Sequence, residues 1–150
     1  ISRRQETPIA LLMLDIDRFK LINDRFGHLA GDQALRTIAQ TLQQHLKRPT
    51  DLVSRIEGEE FAIILPNTIA EGALQVAETI RDAVASIHFE WEGEAIPLTI
   101  SIGVSADIVT HDQHSTKLLE QADKALYQAK NGGRNQVSLY LSDQARPVPN

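Results

Sequence analysis

The centre of the sequence reads Arg55-Ile56-Glu57-Gly58-Glu59-Glu60-Phe61 and continues into the apolar run Ala62-Ile63-Ile64-Leu65-Pro66. Apolar residues on both sides of a glycine-containing turn predict two antiparallel strands, residues 52–56 and 61–65. Three glutamates stand within four residues at that turn. The sequence therefore predicts a β-hairpin that carries a cluster of carboxylates at its tip.

A second acidic site precedes this hairpin in the chain. Asp15 and Asp17 follow the continuous apolar run 9–14, which is typical of a strand buried on both faces. Carboxylates at the ends of buried strands are costly unless a cation lies beside them. We therefore favour a divalent metal that holds a nucleotide phosphate. The alternative is that Asp15 and Asp17 are helix N-caps and that the hairpin glutamates form a solvated turn.

The composition limits the class of protein. A chain of 150 residues with 42% hydrophobic residues suits one globular domain. The formal net charge of −5 provides no basic field for a nucleic-acid polymer, which we exclude as a partner. No cysteine is present, so disulfides and thiolate metal sites are excluded. We expect residues 1–150 to be a single cytoplasmic domain, the C-terminal fragment of a larger sensor protein, with any membrane anchor in upstream segments.

The hydrophobic pattern predicts the remaining elements and the fold class. Apolar residues at helical spacing predict three helical segments. The first runs from Arg18 to the residue before Pro49, with a break at 27–28 and a restart near 31–32. The second covers 73–84 and has an N-terminal signal at 67–68. The third covers 118–129. Alternation predicts a second hairpin, 87–91 with 96–105, and a last strand at 137–141. The order predicts an α+β fold with a central, mostly antiparallel sheet flanked by helices.

Four polar residues elsewhere suit the binding of a nucleotide. Lys130 and Arg134 stand four apart at a helix end and could neutralise phosphates, although cations also favour helix C-termini through the macrodipole. Asn23 and Asp32 flank the break at residues 27–28 and could contact a guanine edge, although turn or capping roles also suit them. No nucleophile motif or P-loop occurs, so metal-assisted phosphoryl or nucleotidyl transfer is the expected chemistry.

In their order and spacing these segments resemble the GGDEF domain of diguanylate cyclases, over about residues 8–141. The stretches that carry the resemblance are Leu14 to Lys20, Ile22 to His28, Gly31-Asp32, Arg55 to Phe61, Ser101 to Ser105, Ala122 to Lys130 and Gly133 to Asn135. The resemblance implies a fold related to nucleotidyl cyclases and polymerase palms. It also implies a homodimer in which two GTP-loaded domains meet and form cyclic di-GMP and pyrophosphate.

The resemblance also implies roles for individual residues. Asp15, Glu59 and the Ile16 carbonyl would bind Mg²⁺ or Mn²⁺. Glu60 would lie at the reacting centre as a base or second metal ligand, so that Glu59 and Glu60 form the catalytic pair. The residues implied to bind GTP are Asn23 and Asp32 for guanine, and Lys130, Arg134, Gly58, Phe19 and Lys20 for the phosphates.

One position departs from the family pattern. The family usually has two glycines where this chain has Glu57-Gly58. A non-glycine residue at a left-handed turn position costs about 1 kcal/mol, and Glu57 adds bulk and charge near the expected triphosphate. We expect cyclase activity that is retained but reduced. The alternatives are a degenerate domain that is a non-catalytic receptor for cyclic di-GMP, and a regulatory module that binds GTP without turnover.

Arg48 and Asp51 form an Arg-x-x-Asp pattern, and five residues separate it from the Glu57-Gly58 turn. This pattern resembles the inhibitory site at which the family binds cyclic di-GMP, and it implies product inhibition. The alternative is a loop ion pair. Thr79 stands where the family has a helper arginine, with Arg81 nearby.

Overall fold

The computed structural model describes residues 6–109 and 116–141. Its elements in chain order are β1 (Thr7–Ile16), α1 (Phe19–Phe26), α2 (His28–His45), β2 (Leu52–Glu57), β3 (Glu60–Pro66), α3 (Ala70–Ala85), β4 (Glu90–Trp91), β5 (Glu94–Ala95), β6 (Ile100–Val109), α4 (Thr116–Asn131) and β7 (Val137–Leu139). Each of the helices in these ranges is too short or too polar to cross a lipid bilayer.

The main sheet has the strand order β2-β3-β1-β6-β7. Its neighbouring strands are antiparallel except for β6 and β7, which run parallel. Helices cover both faces of the sheet, and this confirms the predicted α+β fold with a mostly antiparallel sheet.

The sequence of the central strand β1 does not alternate between apolar and polar residues, because both of its faces are covered by helices. Leu12 and Leu14 face the core formed with α2 and α3, whereas Leu11 and Met13 face α4. Both faces of the strand are therefore buried, and a continuous apolar run is favoured over an alternating one.

Gly103 on β6 sets how closely α4 lies against the sheet. A Cβ at this position would overlap backbone atoms of Ala122 and Leu126. Only glycine leaves room for the helix backbone here, so the helix seats directly on the strand. This close contact fixes the end of α4 relative to β1, where the candidate site lies.

The predicted second hairpin is only partly correct. The turn at residues 92–94 forms, but the strands that it joins are only two residues long. The long strand begins at Ile100 and pairs with β1 instead. Pro97 lacks an N–H group for a ladder, and the buried residues of β6 gain more free energy beside the apolar β1.

Two helix starts also differ from the prediction. The second helix begins at His28 rather than near residues 31–32, because Gly27, with a φ of 97°, makes the junction to α1. The signal at residues 67–68 does not cap α3: the N-cap is Ile69, without a side-chain hydrogen bond. Thr68 donates its hydroxyl to the Pro66 carbonyl instead.

Candidate active site

The acidic turn between β2 and β3 has an unstrained Glu57. Gly58 is the turn residue with a positive φ, of 51°, and Glu57 has none. Arg55 donates from Nε to the Gly58 carbonyl oxygen at 2.7 Å and so holds the turn. The prediction of a backbone cost at Glu57 was therefore wrong, because Gly58 occupies the left-handed position of the turn. The exposed side chain of Glu57 leaves charge as its main effect.

Strand pairing brings Asp15 to this turn. Asp15 lies opposite Glu60 in the β1–β3 register, and the Ile16 N–H donates to the Glu59 carbonyl at 3.2 Å. A cavity of about 340 Å³ is lined by Asp15 and the turn residues 57–60. The two acidic sites of the sequence are thus one site.

The two oxygens of the Asp15 carboxylate have different surroundings. Lys130 Nζ donates to Oδ2, whereas Oδ1 is buried and has no hydrogen-bond partner among the described residues. Burial raises the pKa of Asp15, the charges of Glu59 and Asp123 add to the rise, and Lys130 opposes it. A buried oxygen without a partner, in a negative environment, suits a cation.

Glu60 also has a raised pKa. Burial is the largest cause, followed by the charges of Asp15 and Asp123, with a smaller contribution from Glu57, while Lys130 lowers it. A half-buried carboxyl with a raised pKa is a stronger base than an ordinary glutamate and is a candidate for proton transfer.

The donor set fits a divalent metal that also binds substrate. Within residues 6–109 and 116–141, no three His, Asp or Glu side chains converge as a metal-binding group. Among the described residues, Asp15 has one oxygen without a partner, Glu59 lines the same cavity, and Ile16 follows Asp15 at the end of β1. Mg²⁺ needs only one or two carboxylates when phosphate oxygens complete its shell.

The start of α1 offers free backbone donors. Its N-cap, Arg18, has a left-handed conformation and makes no side-chain capping bond. The N–H groups of Phe19 and Lys20 in the first turn are therefore open to an anion. Since Arg18 is the N-cap of α1, the alternative that Asp15 and Asp17 are helix N-caps is wrong.

Asp17 is buried and accepts hydrogen bonds from Thr99, Ser101 and Asn135.

The residues predicted to contact guanine lie on the neighbouring helices α1 and α2. A Cβ on Gly31 would overlap the side-chain oxygen of Asn23 and would lie 3.2 Å from the Phe19 ring. The next residue, Asp32, is exposed at a cavity of about 510 Å³ between α2 and the β2–β3 hairpin. The fold thus places Phe19 and Asn23 of α1 against Gly31 of α2, and Asp32 is the next residue of that helix.

The two cations at the end of α4 have different surroundings. Lys130 contacts Asp15 and so belongs to the acidic site. Arg134 lies on the following loop with an exposed side chain and a φ of 64°, and its backbone N–H donates to the Ala129 carbonyl at 3.1 Å.

Asp123 is a further acidic residue of this site that was not predicted from the sequence, and its charge raises the pKa of both Asp15 and Glu60. Its spacing of seven residues from Lys130 places both on one face of α4, and this signal could have identified it.

Arg48 and Asp51 form an ion pair with each other. Arg48 Nη2 lies 2.8 Å from Asp51 Oδ1 and also donates to the Pro66 carbonyl and the Thr68 hydroxyl. The Asp51 side chain is only 6% exposed, whereas that of Arg48 is 45% exposed. These contacts have the geometry of the loop ion pair, and an inhibitory site here stays a prediction. Thr79 is exposed, and Arg81 bonds to Glu78 and Asn135.

The sequence of this chain matches a family model and several known proteins. Residues 1–136 match a family model described as "Diguanylate cyclase, GGDEF domain". Diguanylate cyclase A of Treponema denticola is 44% identical over 139 residues, which cover 92% of this chain and 37% of that protein. The chain thus spans well under half of that relative's length.

Two solved structures share the fold. The active GGEEF domain of a diguanylate cyclase from Vibrio cholerae has a TM-score of 0.81 and 37% identity, covering 91% of this chain and 85% of that one. The GGDEF domain of DgcB from Caulobacter crescentus, solved in complex with c-di-GMP, has a TM-score of 0.83 and 36% identity, with coverages of 89% and 78%.

Proposed function

The chain belongs to the GGDEF domain family of diguanylate cyclases, and from this we propose that it condenses two molecules of GTP into cyclic di-GMP and pyrophosphate. The observation that carries the proposal is the Asp15 carboxylate, which lies beside two glutamates. One of its oxygens is paired with Lys130, and the other has no partner in residues 6–109 and 116–141. A site of this kind favours a metal-bound triphosphate over an uncharged ligand.

Asp15, Glu59 and the Ile16 carbonyl are the residues that would hold Mg²⁺ or Mn²⁺. The metal, when bound, neutralises phosphate charge and favours attack at the α-phosphorus. Lys130 and Arg134 bind the β- and γ-phosphates and stabilise the negative charge of the pyrophosphate that leaves. The N–H groups at Phe19 and Lys20 add donors, and Gly58 lets the phosphates approach the turn closely.

Glu60 accepts the proton of the attacking 3′-hydroxyl. The oxygen of that hydroxyl forms a bond to the α-phosphorus of the GTP held by a second copy, and the bond to the β-phosphate oxygen breaks. The raised pKa of Glu60 favours this proton transfer. Each copy supplies one GTP, so the active form is a homodimer.

Asn23 and Asp32 select guanine. The Asp32 carboxylate accepts from N1–H and the exocyclic amine, and the Asn23 amide contacts another edge of the same base. Their placement on neighbouring helices supports this role. Asp32→Ala tests it: GTP affinity falls if the contact exists, and an unchanged affinity would remove Asp32 from the guanine site.

We further propose product inhibition through Arg48 and Asp51. The existing bond between them fixes an exposed guanidinium that could hold a phosphate of cyclic di-GMP. Arg48→Ala is expected to abolish inhibition by added cyclic di-GMP while initial turnover of GTP persists. Inhibition that persists in this variant would contradict the assignment.

The decisive experiment measures cyclic di-GMP formed from GTP and Mg²⁺ at high protein concentration. The native chain is compared with Glu57→Gly and with Glu60→Gln, the expected inactive control. Product from the native chain supports a working cyclase. Product from Glu57→Gly alone would instead favour the receptor function, which cyclic di-GMP binding by the native chain would then test.

If neither the native chain nor Glu57→Gly forms product, each is fused to a parallel coiled-coil dimer and the assay is repeated. Failure to form product as an enforced dimer would contradict the proposed cyclase activity.

A further inference from the structure

We propose that Asp17 is a positioning residue for Arg134. Its buried carboxylate sets the conformation of the loop that presents this arginine to the phosphates of bound GTP. The inference rests on the proposed function, in which Arg134 binds those phosphates.

The Asp17 carboxylate joins three parts of the chain. It lies buried just after β1 and accepts the Ser101 hydroxyl on Oδ1 at 2.6 Å. On Oδ2 it accepts the Thr99 hydroxyl at 2.7 Å and the backbone N–H of Asn135 at 2.9 Å. Both oxygens are thus used, and one contact reaches the loop after α4, which lies far from Asp17 in the chain.

That loop has an unfavourable backbone conformation. Arg134 and Asn135 are consecutive non-glycine residues with positive φ, of 64° and 48°. L-amino acids adopt this region only at a cost in free energy, so other contacts must hold it. A hydrogen bond from the Asn135 N–H to a buried carboxylate is charge-assisted and is of the stronger kind. The direction in which Arg134 leaves the backbone therefore depends on Asp17.

A second anchor touches the same loop and must be separated from the first. Arg81 Nη1 donates to the side-chain oxygen of Asn135 at 2.8 Å. This bond is exposed and involves the side chain of Asn135, whereas the bond that the Asn135 backbone N–H donates to Asp17 is part-buried. Solvent competes less with the part-buried bond, which makes Asp17 the stronger anchor of the two.

The test measures nucleotide binding by calorimetry in Mg²⁺. The ligands are 3′-deoxy-GTP, which cannot react because it lacks the nucleophile, and GMP, which lacks the β- and γ-phosphates. Asp17→Asn is expected to weaken 3′-deoxy-GTP at least about tenfold and to leave GMP unchanged. Equal weakening of both ligands would indicate a general structural defect and would overturn the proposal.

Ser101→Ala is the matched control. It removes one donor from the same carboxylate but leaves the oxygen that accepts from Asn135. We expect it to bind 3′-deoxy-GTP like the native chain. A loss as large as that of Asp17→Asn would contradict positioning through Asn135.

A double-mutant cycle with Arg134→Ala identifies the route of the effect. If Asp17 acts through Arg134, Asp17→Asn causes no further loss in the Arg134→Ala background, and additive losses would overturn the inference. Unchanged affinity in Arg134→Ala alone would also overturn it while leaving the cyclase function intact. Absence of 3′-deoxy-GTP binding by the native chain would instead refute the proposed function and the inference with it.

Hydrogen exchange on the native chain provides a test that does not depend on any variant folding. The Asn135 amide is expected to exchange slowly because its N–H is bound to a carboxylate. Exchange at the rate of an open loop would contradict the proposed anchor.

Discussion

At the scale of single residues, the charge of Glu57 matters more than its backbone. The residue has no positive φ, its side chain is exposed, and its charge is one of the causes of the raised pKa of Glu60. The departure from the family pattern therefore acts electrostatically on the candidate base Glu60 and, in the proposed mechanism, on the triphosphate.

Glu57→Gln should consequently restore as much activity as Glu57→Gly. Removing one exposed charge is expected to lower the KM for GTP about two- to fivefold in both variants, because exposed charge pairs contribute roughly 0.2–1 kcal/mol. Steady-state kinetics check this. An improvement in Glu57→Gly without one in Glu57→Gln would show that side-chain bulk or backbone freedom matters instead.

Asp15→Asn is expected to raise thermal stability in EDTA while reducing cyclic di-GMP formation at least about a hundredfold. The pKa of Asp15 is raised in the folded chain above the ordinary 3.8, so the folded state holds the proton more tightly. The free energy of unfolding therefore falls as the pH rises from the ordinary pKa of 3.8 through the raised pKa of the folded chain. Asparagine has no proton to lose in this range, so the variant does not undergo this decrease in stability.

Thermal unfolding at neutral pH measures the effect of Asp15→Asn, with and without Mg²⁺. A lower unfolding temperature for the variant in EDTA would mean that the bond to Lys130 outweighs the cost of burial.

Gly31→Ala is expected to weaken GTP binding about five- to tenfold without destabilising the fold. The added Cβ would displace the side-chain oxygen of Asn23, and one base contact would be lost. Gly72→Ala on α3 is the matched control, since its Cβ meets only Thr68 at 3.4 Å. Both changes place alanine in a helix, so only a change in affinity that is confined to Gly31→Ala supports the role of Asn23.

At the scale of secondary-structure elements, the seat of α4 on β6 determines whether Lys130 reaches Asp15. Gly103 allows the contact, and the Ser105 hydroxyl donates to the Leu118 carbonyl at the other end of the helix. The helix is thus held at two points along β6, and its last turn faces the end of β1.

Gly103→Ala should destabilise the domain by about 3 kcal/mol. The new Cβ would meet backbone atoms of α4, which cannot move aside as a side chain can, so the helix itself must shift. Urea denaturation measures the loss, and the KM for GTP is expected to rise as Lys130 moves. A change of less than about 1 kcal/mol would show that α4 adjusts without strain.

At the scale of the whole molecule, the sheet assembles the site from distant parts of the chain. The ends of β1 and α4 and the turn between β2 and β3 meet at one edge of the fold. A single copy of this site holds one GTP in the proposed mechanism, so turnover requires two copies.

The initial rate should therefore rise with about the second power of protein concentration while the domain is mostly monomeric. Product is measured over a dilution series at saturating GTP and Mg²⁺. Fusion to a coiled-coil dimer should make the rate first order. First-order behaviour of the unfused chain, with a monomer confirmed by sedimentation, would contradict the two-copy mechanism.

The local pattern of the sequence determined most of the secondary-structure elements. The run at 9–14, the hairpin turn at Gly58 and the helical spacing of apolar residues each depend on neighbours in the chain, and the structure confirms them. The family resemblance, which rests on motif order, is confirmed by the match over residues 1–136.

Only the tertiary structure decided the contacts between distant segments. The pairing of β6 with β1, the bond of Lys130 to Asp15 and the Asp17 carboxylate beneath Asn135 join residues far apart in the chain. Local periodicity carries no information on which strands or side chains meet, because that choice depends on the total burial of the folded chain. The sequence by itself therefore determined which groups the chemistry needs, and the packing of α4 and β6 on β1 decided how they are held.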